Sequence, residues 1–263
     1  MELCPSPALI VLPVGLSILA PEFLWAKRCL CKARKLAASR SHPQLRFAAS
    51  SFQRITMMAK TSQDLWQEAF QQIGATRTPS IEPLLDAYSE PGRFYHNWNH
   101  IEACLKAHQN AGGLTALHAI ALFYHDCIYD TRRSDNEEQS ADFMARDLRA
   151  VDVPEYQLCT LRRLILATRH NELPESRDEQ LVVDADLSIL GADPVDYRRY
   201  VEAIRQEYGW VDDASFTRGR GDFLKKLQAR DHIYSTESFR LVFEDNAQNN
   251  TRDELESVSQ QKS

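Results

Sequence analysis

His125 and Asp126 stand side by side directly behind the run ALFY, in the stretch ALFYHDCIYD. From Ala116 to Tyr124 nearly every residue is apolar or aromatic, so a helix over this stretch is buried on every side and carries the pair at its end inside with it. A buried carboxylate requires a cation, a set of hydrogen bonds or a metal ion. Two other places supply groups of the right kind. Upstream, GRFYHNWNHIEACLKAH holds His96 and His100; downstream, LVVDADLSILGADP holds Asp184 and Asp186.

Helix geometry ranks these groups. Asn99 followed by Glu102 has the form of a capping box, which sets His100 in the first turn of a helix whose inward face is Ile101, Cys104, Leu105 and His108. Asp184 and Asp186 lie roughly 200° apart on a helix, so only one of them points inward. Asp186 shares its face with Val182, Val183, Ile189 and Leu190. Asp184 neighbours Gln180, Leu181, Leu187 and Ser188 and is expected in a more polar setting. His100, His125, Asp126 and Asp186 then form a set of two imidazoles and two carboxylates from three helices. Such a set suits a divalent cation (Mn, Fe, Zn, Co, Ni or Mg) and leaves coordination positions for water and substrate.

The elements that must hold this set read as helices. From Gln63 onward the apolar spacing is helical, as in Leu65, Trp66, Ala69, Phe70, Ile73 and later Leu158, Leu161, Leu164, Ile165 and Thr168. Gly112-Gly113, Val153-Pro154, Leu173-Pro174 and Asp193-Pro194 separate segments of helix length. LVVDADL is the one strand-like piece, and the expected fold is an all-α bundle. Neither GxGxxG nor GxxxxGK[ST] is present, which excludes the common dinucleotide and P-loop sites.

Composition, 43% hydrophobic and 26% charged over 263 residues, fits one catalytic-size domain. Charge is unevenly spread. Residues 1–60 carry nine Lys or Arg against two Glu, leaving twenty-two basic against thirty-five acidic residues beyond. The acidic main domain argues against a nucleic-acid polymer as partner, whereas a small phosphorylated substrate needs only local cations. The leader's apolar part, ALIVLPVGLSILA, is too short and proline-broken for a stable membrane span; its acid-free, Arg- and Ser-rich part suits either an organelle-targeting presequence or an unstructured leader ahead of Met57 or Met58. The expected domains are a leader over 1–60, a catalytic domain over 61–250 and a polar tail over 251–263. Six cysteines without a CxxC pair, three of them (Cys104, Cys127, Cys159) set singly in helical patterns, read as reduced core filler in an intracellular protein, cytoplasmic or organellar according to the leader.

The ordered series His100, His125-Asp126 and Asp186 resembles the HD superfamily of metal-dependent phosphohydrolases. RFYHNWNHI, FYHDCIYD, NEEQSA, DADLSILGAD, YRRYVEAIRQEY and GRGDFLKKLQARDHIYST are similar to the small stand-alone branch of that superfamily, over about Leu65 to Asn250. The resemblance implies an HD-type helical bundle, metal ligation by His100, His125, Asp126 and Asp186, and hydrolysis of a small phosphate ester such as a nucleotide by a metal-activated water.

Around the metal, Asp130 falls four residues after Asp126 and on one helix face would orient the water or accept its proton; Glu137 is a second acceptor, or else a solvated first-turn glutamate. His170 is either a helix C-terminal cation or a holder of a second metal or of phosphate. His96 precedes the expected cap and is ranked beside the substrate. Arg93, Arg205 and Arg220 are candidate phosphate clamps, each with surface ion pairing as the alternative. Lys225 and Lys226 read as a solvated helix face. Rival functions are a zinc hydrolase on His96 and His100, which lacks the glutamate of HExxH; a non-catalytic nucleotide or signal-binding HD protein; and a di-iron HD oxygenase.

Overall fold

The computed structural model describes residues 60–260, with side chains through Val258; the basic leader, with Cys4, Cys29 and Cys31, and the last three residues lie outside the described residues. Among the described residues ten α-helices follow one another: α1 Ser62–Gln72, α2 Glu82–Tyr88, α3 Trp98–Ala111, α4 Ala116–Tyr124, α5 Asn136–Arg149, α6 Glu155–Ala167, α7 Arg177–Asp186, α8 Pro194–Glu207, α9 Asp213–Gln228 and α10 Glu237–Gln260. A 3-10 turn, Leu187–Gly191, joins α7 to α8, and no strand occurs among the described residues. The fold is all-α, and LVVDADL is helical within α7.

α4 is the axis of the core. His118 through Tyr124 are all buried, so the helix is apolar on every side as its sequence demands. α1, α3, α5, α6 and α7 surround it. Trp66 and Phe70 of α1 pack edge to face with ring centroids 4.7 Å apart, and Trp66 meets Phe123 at 5.1 Å. Burying each such large side chain contributes about 1.5–3 kcal/mol. The Trp66 indole N–H donates to the Pro79 carbonyl at 2.9 Å, so this fully buried ring leaves no polar group unpaired. Leu158, Leu161, Leu164, Ile165 and Thr168 are buried from α6 as their spacing predicts.

Local signals set several ends. Thr61 and Asp64 form a reciprocal capping box on α1, and Ser176 and Glu179 form another on α7. The start of α3 differs from expectation: Asn97, not Asn99, is the cap, accepting the Asn99 N–H at 3.0 Å. Asn97 prevails because its amide also donates to the carbonyls of Arg93 and Phe94, and Glu102 instead accepts from Ser62. α4 closes at Tyr124, earlier than a helix carrying Asp126 and Asp130 on one face requires. At the 3-10 turn, a Cβ on Gly191 would stand 2.5 Å from the Phe243 carbonyl oxygen, so glycine is needed for α10 to lie this close. α10 also runs through residues 251–260, set apart by composition as a polar tail; Thr251 is buried there and Glu254 binds Arg220.

Candidate metal centre

α3, α4 and α7 bring the four expected ligands together. His100 lies in the first turn of α3, His125 is the residue that ends α4 with Asp126 just after it, and Asp186 closes α7. One donor atom from each lies within 4.8 Å of the other three. The His100 and His125 Nε2 atoms are 3.3 Å apart. Asp186 Oδ1 is 3.2 Å from the first and 3.4 Å from the second, and Asp126 Oδ2 is 3.6 Å and 3.1 Å from them. Donors ~2.1 Å from one cation are separated by about 3.4 Å at tetrahedral corners and about 3.0 Å at adjacent octahedral ones. The observed spacings span the tetrahedral value and lie just above the octahedral one.

Hydrogen bonding prepares these atoms. His125 Nδ1 lies 2.9 Å from the Leu122 carbonyl, which can only accept, so Nδ1 carries a proton and Nε2 is the ring nitrogen turned toward the cluster. Burial opposes a charge on His125, but Asp126 and Asp186 outweigh it and hold the imidazolium well above its ordinary pKa. Burial likewise works against charge on both carboxylates; the histidines prevail and hold Asp126 and Asp186 low. His100 is lowered, chiefly by burial. Two carboxylates and two ring nitrogens thus converge on a point where positive charge is favoured, and a divalent cation fits this donor set.

The two aspartates divide their work in a way the helix-face argument half captures. Asp186 joins the cluster as expected. Asp184, expected among polar neighbours, is the more deeply buried of the two, with no exposed surface. Its carboxylate accepts the backbone N–H groups of Ser235 and Thr236, each at 2.8 Å, where the chain turns into α10. Burial raises the Asp184 pKa against those hydrogen bonds. The expectation failed because its partners lie on a distant segment that a helical wheel does not contain.

His170 reaches the cluster from the end of α6, with Nε2 2.9 Å from Asp186 Oδ2. Its backbone φ of 55° is uncommon for a residue other than glycine, and that turn brings the ring to Asp186. His96, the other histidine of the same stretch as His100, lies outside the four-residue group. Its Nδ1 lies 2.6 Å from Glu207 Oε2, and Glu207 Oε1 accepts the backbone N–H groups of Tyr95 and His96. The His96 ring stacks on Tyr129 at 4.0 Å and meets the His100 ring edge to face at 5.6 Å. Burial opposes its protonation, but Glu207, Asp126 and Asp186 raise its pKa. Tyr95 packs against both His100 and Tyr200, with centroids 4.7 Å apart in each case.

The expected phosphate clamps are engaged elsewhere. Arg93 is buried and donates to the carbonyls of His96, Asp126 and Cys127 at 3.2, 2.6 and 2.9 Å, so it fixes the backbone of the turn that carries Asp126. Arg205 binds the carbonyls of Tyr208 and Val211 and the carboxylate of Asp213. Arg220 forks onto Glu254 and donates to the Tyr200 hydroxyl. Asp130 is exposed and lies beyond the helix; its carboxylate accepts the Arg132 N–H at 2.9 Å. Glu137 is half-buried, and burial first, then the charge of Asp126, raises its pKa. Cys104 and Cys127 are core residues as expected, whereas Cys159 is exposed. Lys225 and Lys226 are exposed as expected.

The sequence reading missed Glu207, Tyr129 and Tyr95. Glu207 had a signal: it continues the inward series Tyr200, Ile204 on α8, where an acid among apolar positions marks a buried partner. Tyr129 and Tyr95 carried none.

Residues 3–36 match a family described as "Putative transmembrane protein (PGPGW)", a match confined to the leader and outside the described residues. It covers the apolar segment whose length and prolines argue against a span, and the two assignments are opposed there. No curated protein matches the chain. No helix among the described residues is long and apolar enough to cross a membrane.

Proposed function

We propose that this protein is a metal-dependent phosphohydrolase of the HD type, acting on a small phosphate ester. The observation that carries the reading is the convergence of His100, His125, Asp126 and Asp186 donors at spacings of 3.1–3.6 Å, in the order and on the helices that the HD resemblance implies. A bound divalent cation supplies Lewis acidity that activates a water near neutral pH and polarises a phosphoryl oxygen.

The chain's own residues supply the rest. Glu137, with its pKa raised by burial and by Asp126, accepts the proton of the attacking water. His96 donates the proton to the leaving oxygen, because Glu207 holds its Nδ1 proton and favours the charged ring, while 18% of its side chain stays open to solvent. His170 orients Asp186, and Arg93 locks the turn that carries Asp126. Tyr95 walls the site beside His100.

The test is phosphate release from a panel of phosphate monoesters, nucleotides included, by purified full-length protein loaded with each of Mn, Fe, Co, Ni, Zn and Mg under nitrogen. Turnover that disappears on chelation and returns with metal supports the reading. Metal-loaded protein that binds phosphorylated ligands without turning any over favours a non-catalytic sensor, and turnover only in the presence of oxygen favours an oxygenase.

A further inference from the structure

The first turn of α5 and the end of α6 meet beside the metal ligands. Glu137 and Glu138 stand on α5; Arg169 and His170 follow α6, with His170 tied to Asp186 at 2.9 Å. The Arg169 guanidinium pairs with Glu138 through Nη2 and lies 3.7 Å from Glu137 through Nε. Its Nε–H is shielded from solvent yet has no acceptor, and Glu138 Oε2 is likewise buried without a donor. An ion pair in which each partner leaves a shielded polar atom unmatched is a poor structural bridge, because those atoms have lost water without replacement.

The other arginines near the site differ. Arg93 and Arg220 have side chains only 3% and 8% exposed, with donors committed to carbonyls, a hydroxyl or a carboxylate fork, whereas Arg169 is 31% exposed with a donor to spare. A guanidinium offers donors in a planar fork that matches two phosphate oxygens, and a phosphate ester arriving among Asp126, Asp186, Glu137 and Glu138 needs a cation beyond the metal.

We propose that Arg169 is the oxyanion-binding cation of this site, held by Glu138 until a phosphate takes its place, so that the end of α6 forms the phosphate subsite. The proposal rests on the phosphohydrolase reading above. Substrate phosphate satisfies the vacant Nε donor, and Glu138 competes with it for the same guanidinium.

The experiment is calorimetric titration of inorganic phosphate into the Mn-loaded full chain, the Arg169→Gln variant and the Glu138→Gln variant, with bound Mn measured in each. Arg169→Gln is expected to weaken phosphate roughly 10 to 100-fold, the loss of charge-assisted hydrogen bonds, with Mn content unchanged. Glu138→Gln is expected to tighten phosphate several-fold by removing the competitor. Equal phosphate affinity in Arg169→Gln and the parent overturns the subsite while leaving the phosphohydrolase reading in place. Unchanged or weaker affinity in Glu138→Gln does so too, even if Arg169→Gln fails to fold. A parent chain that holds Mn but binds no phosphate overturns the phosphohydrolase reading and the subsite with it.

Discussion

Replacing Asp184 and Asp186 in turn by asparagine separates two functions that sit two residues apart. Asp184 has no exposed surface and accepts two backbone N–H groups at 2.8 Å each. Asparagine keeps one acceptor but sets an NH2 donor against the second N–H. One charge-assisted hydrogen bond is lost and one buried donor is orphaned, a cost of about 2–3 kcal/mol, lessened by removing a buried charge whose pKa burial already raises. For a domain of this size that corresponds to a fall in Tm of roughly 5–10 °C. Metal affinity should stay within about twofold, because the Asp184 carboxylate belongs to the Ser235-Thr236 backbone rather than to the cluster. Asp186→Asn removes a carboxylate 3.2 Å from His100 Nε2 and 3.4 Å from His125 Nε2. Metal affinity should fall by roughly 10 to 100-fold or more. The metal-free protein should also lose some stability, since the carboxylate that His100, His125 and His170 hold low is removed, in part offset by relief of repulsion with Asp126. Mn titration and scanning calorimetry on both variants give the two readouts. Asp184→Asn losing metal as severely as Asp186→Asn, or Asp186→Asn melting early with its metal affinity intact, would refute the assignment.

Glu207→Gln removes the acceptor that raises the His96 pKa, so activity should be lost at lower pH than in the parent, with the limb reporting the protonated His96 shifting down; an unmoved pH–rate profile would remove His96 from the proton-donating role. His108 is fully buried, stacks on His118 at 4.9 Å, and its ring nitrogens have no partner; burial chiefly, with His118, depresses its pKa to about 4. The unfolded chain therefore takes up a proton near pH 6.5 that the fold refuses. His108 should lower stability progressively as pH falls from 6.5 to 4, by roughly 3 kcal/mol in total, and His108→Phe should flatten that part of a denaturation-versus-pH curve. A chain beginning at Met58 keeps every helix from Ser62 onward, so its denaturation midpoint and its Mn affinity should match those of the full chain; a lost cooperative transition would show that the leader is part of the fold.

The elements were legible wherever one face, or all faces, of a segment had to be buried. Ala116–Tyr124 is the clearest case, an apolar stretch that could only be a central helix, and it delivers His125 and Asp126 to the interior. The same logic selected Asp186. What periodicity missed were the terminations and pairings set by distant groups. α4 closes at Tyr124, where His125 bonds back to Leu122 and Arg93 claims the carbonyls of Asp126 and Cys127, and Asp130 consequently leaves the helix. Asn97 and Asn99 are equivalent as caps in the sequence; only the carbonyls of Arg93 and Phe94 decide between them. Arginine is the least legible residue of all, because its fork binds carbonyls, carboxylates and phosphate alike. Arg93, Arg205 and Arg220 each fit a phosphate clamp by residue type, yet their donors hold backbone carbonyls, a hydroxyl and carboxylates.

Anomalous diffraction from crystals grown with Mn tests the central claim most directly, since it places the ion without reference to activity. The account predicts one strong peak within about 2.0–2.3 Å of His100 Nε2, His125 Nε2 and an oxygen of each of Asp126 and Asp186. A peak held instead by His96 and Glu207, or no peak among the four residues at saturating Mn, would contradict it.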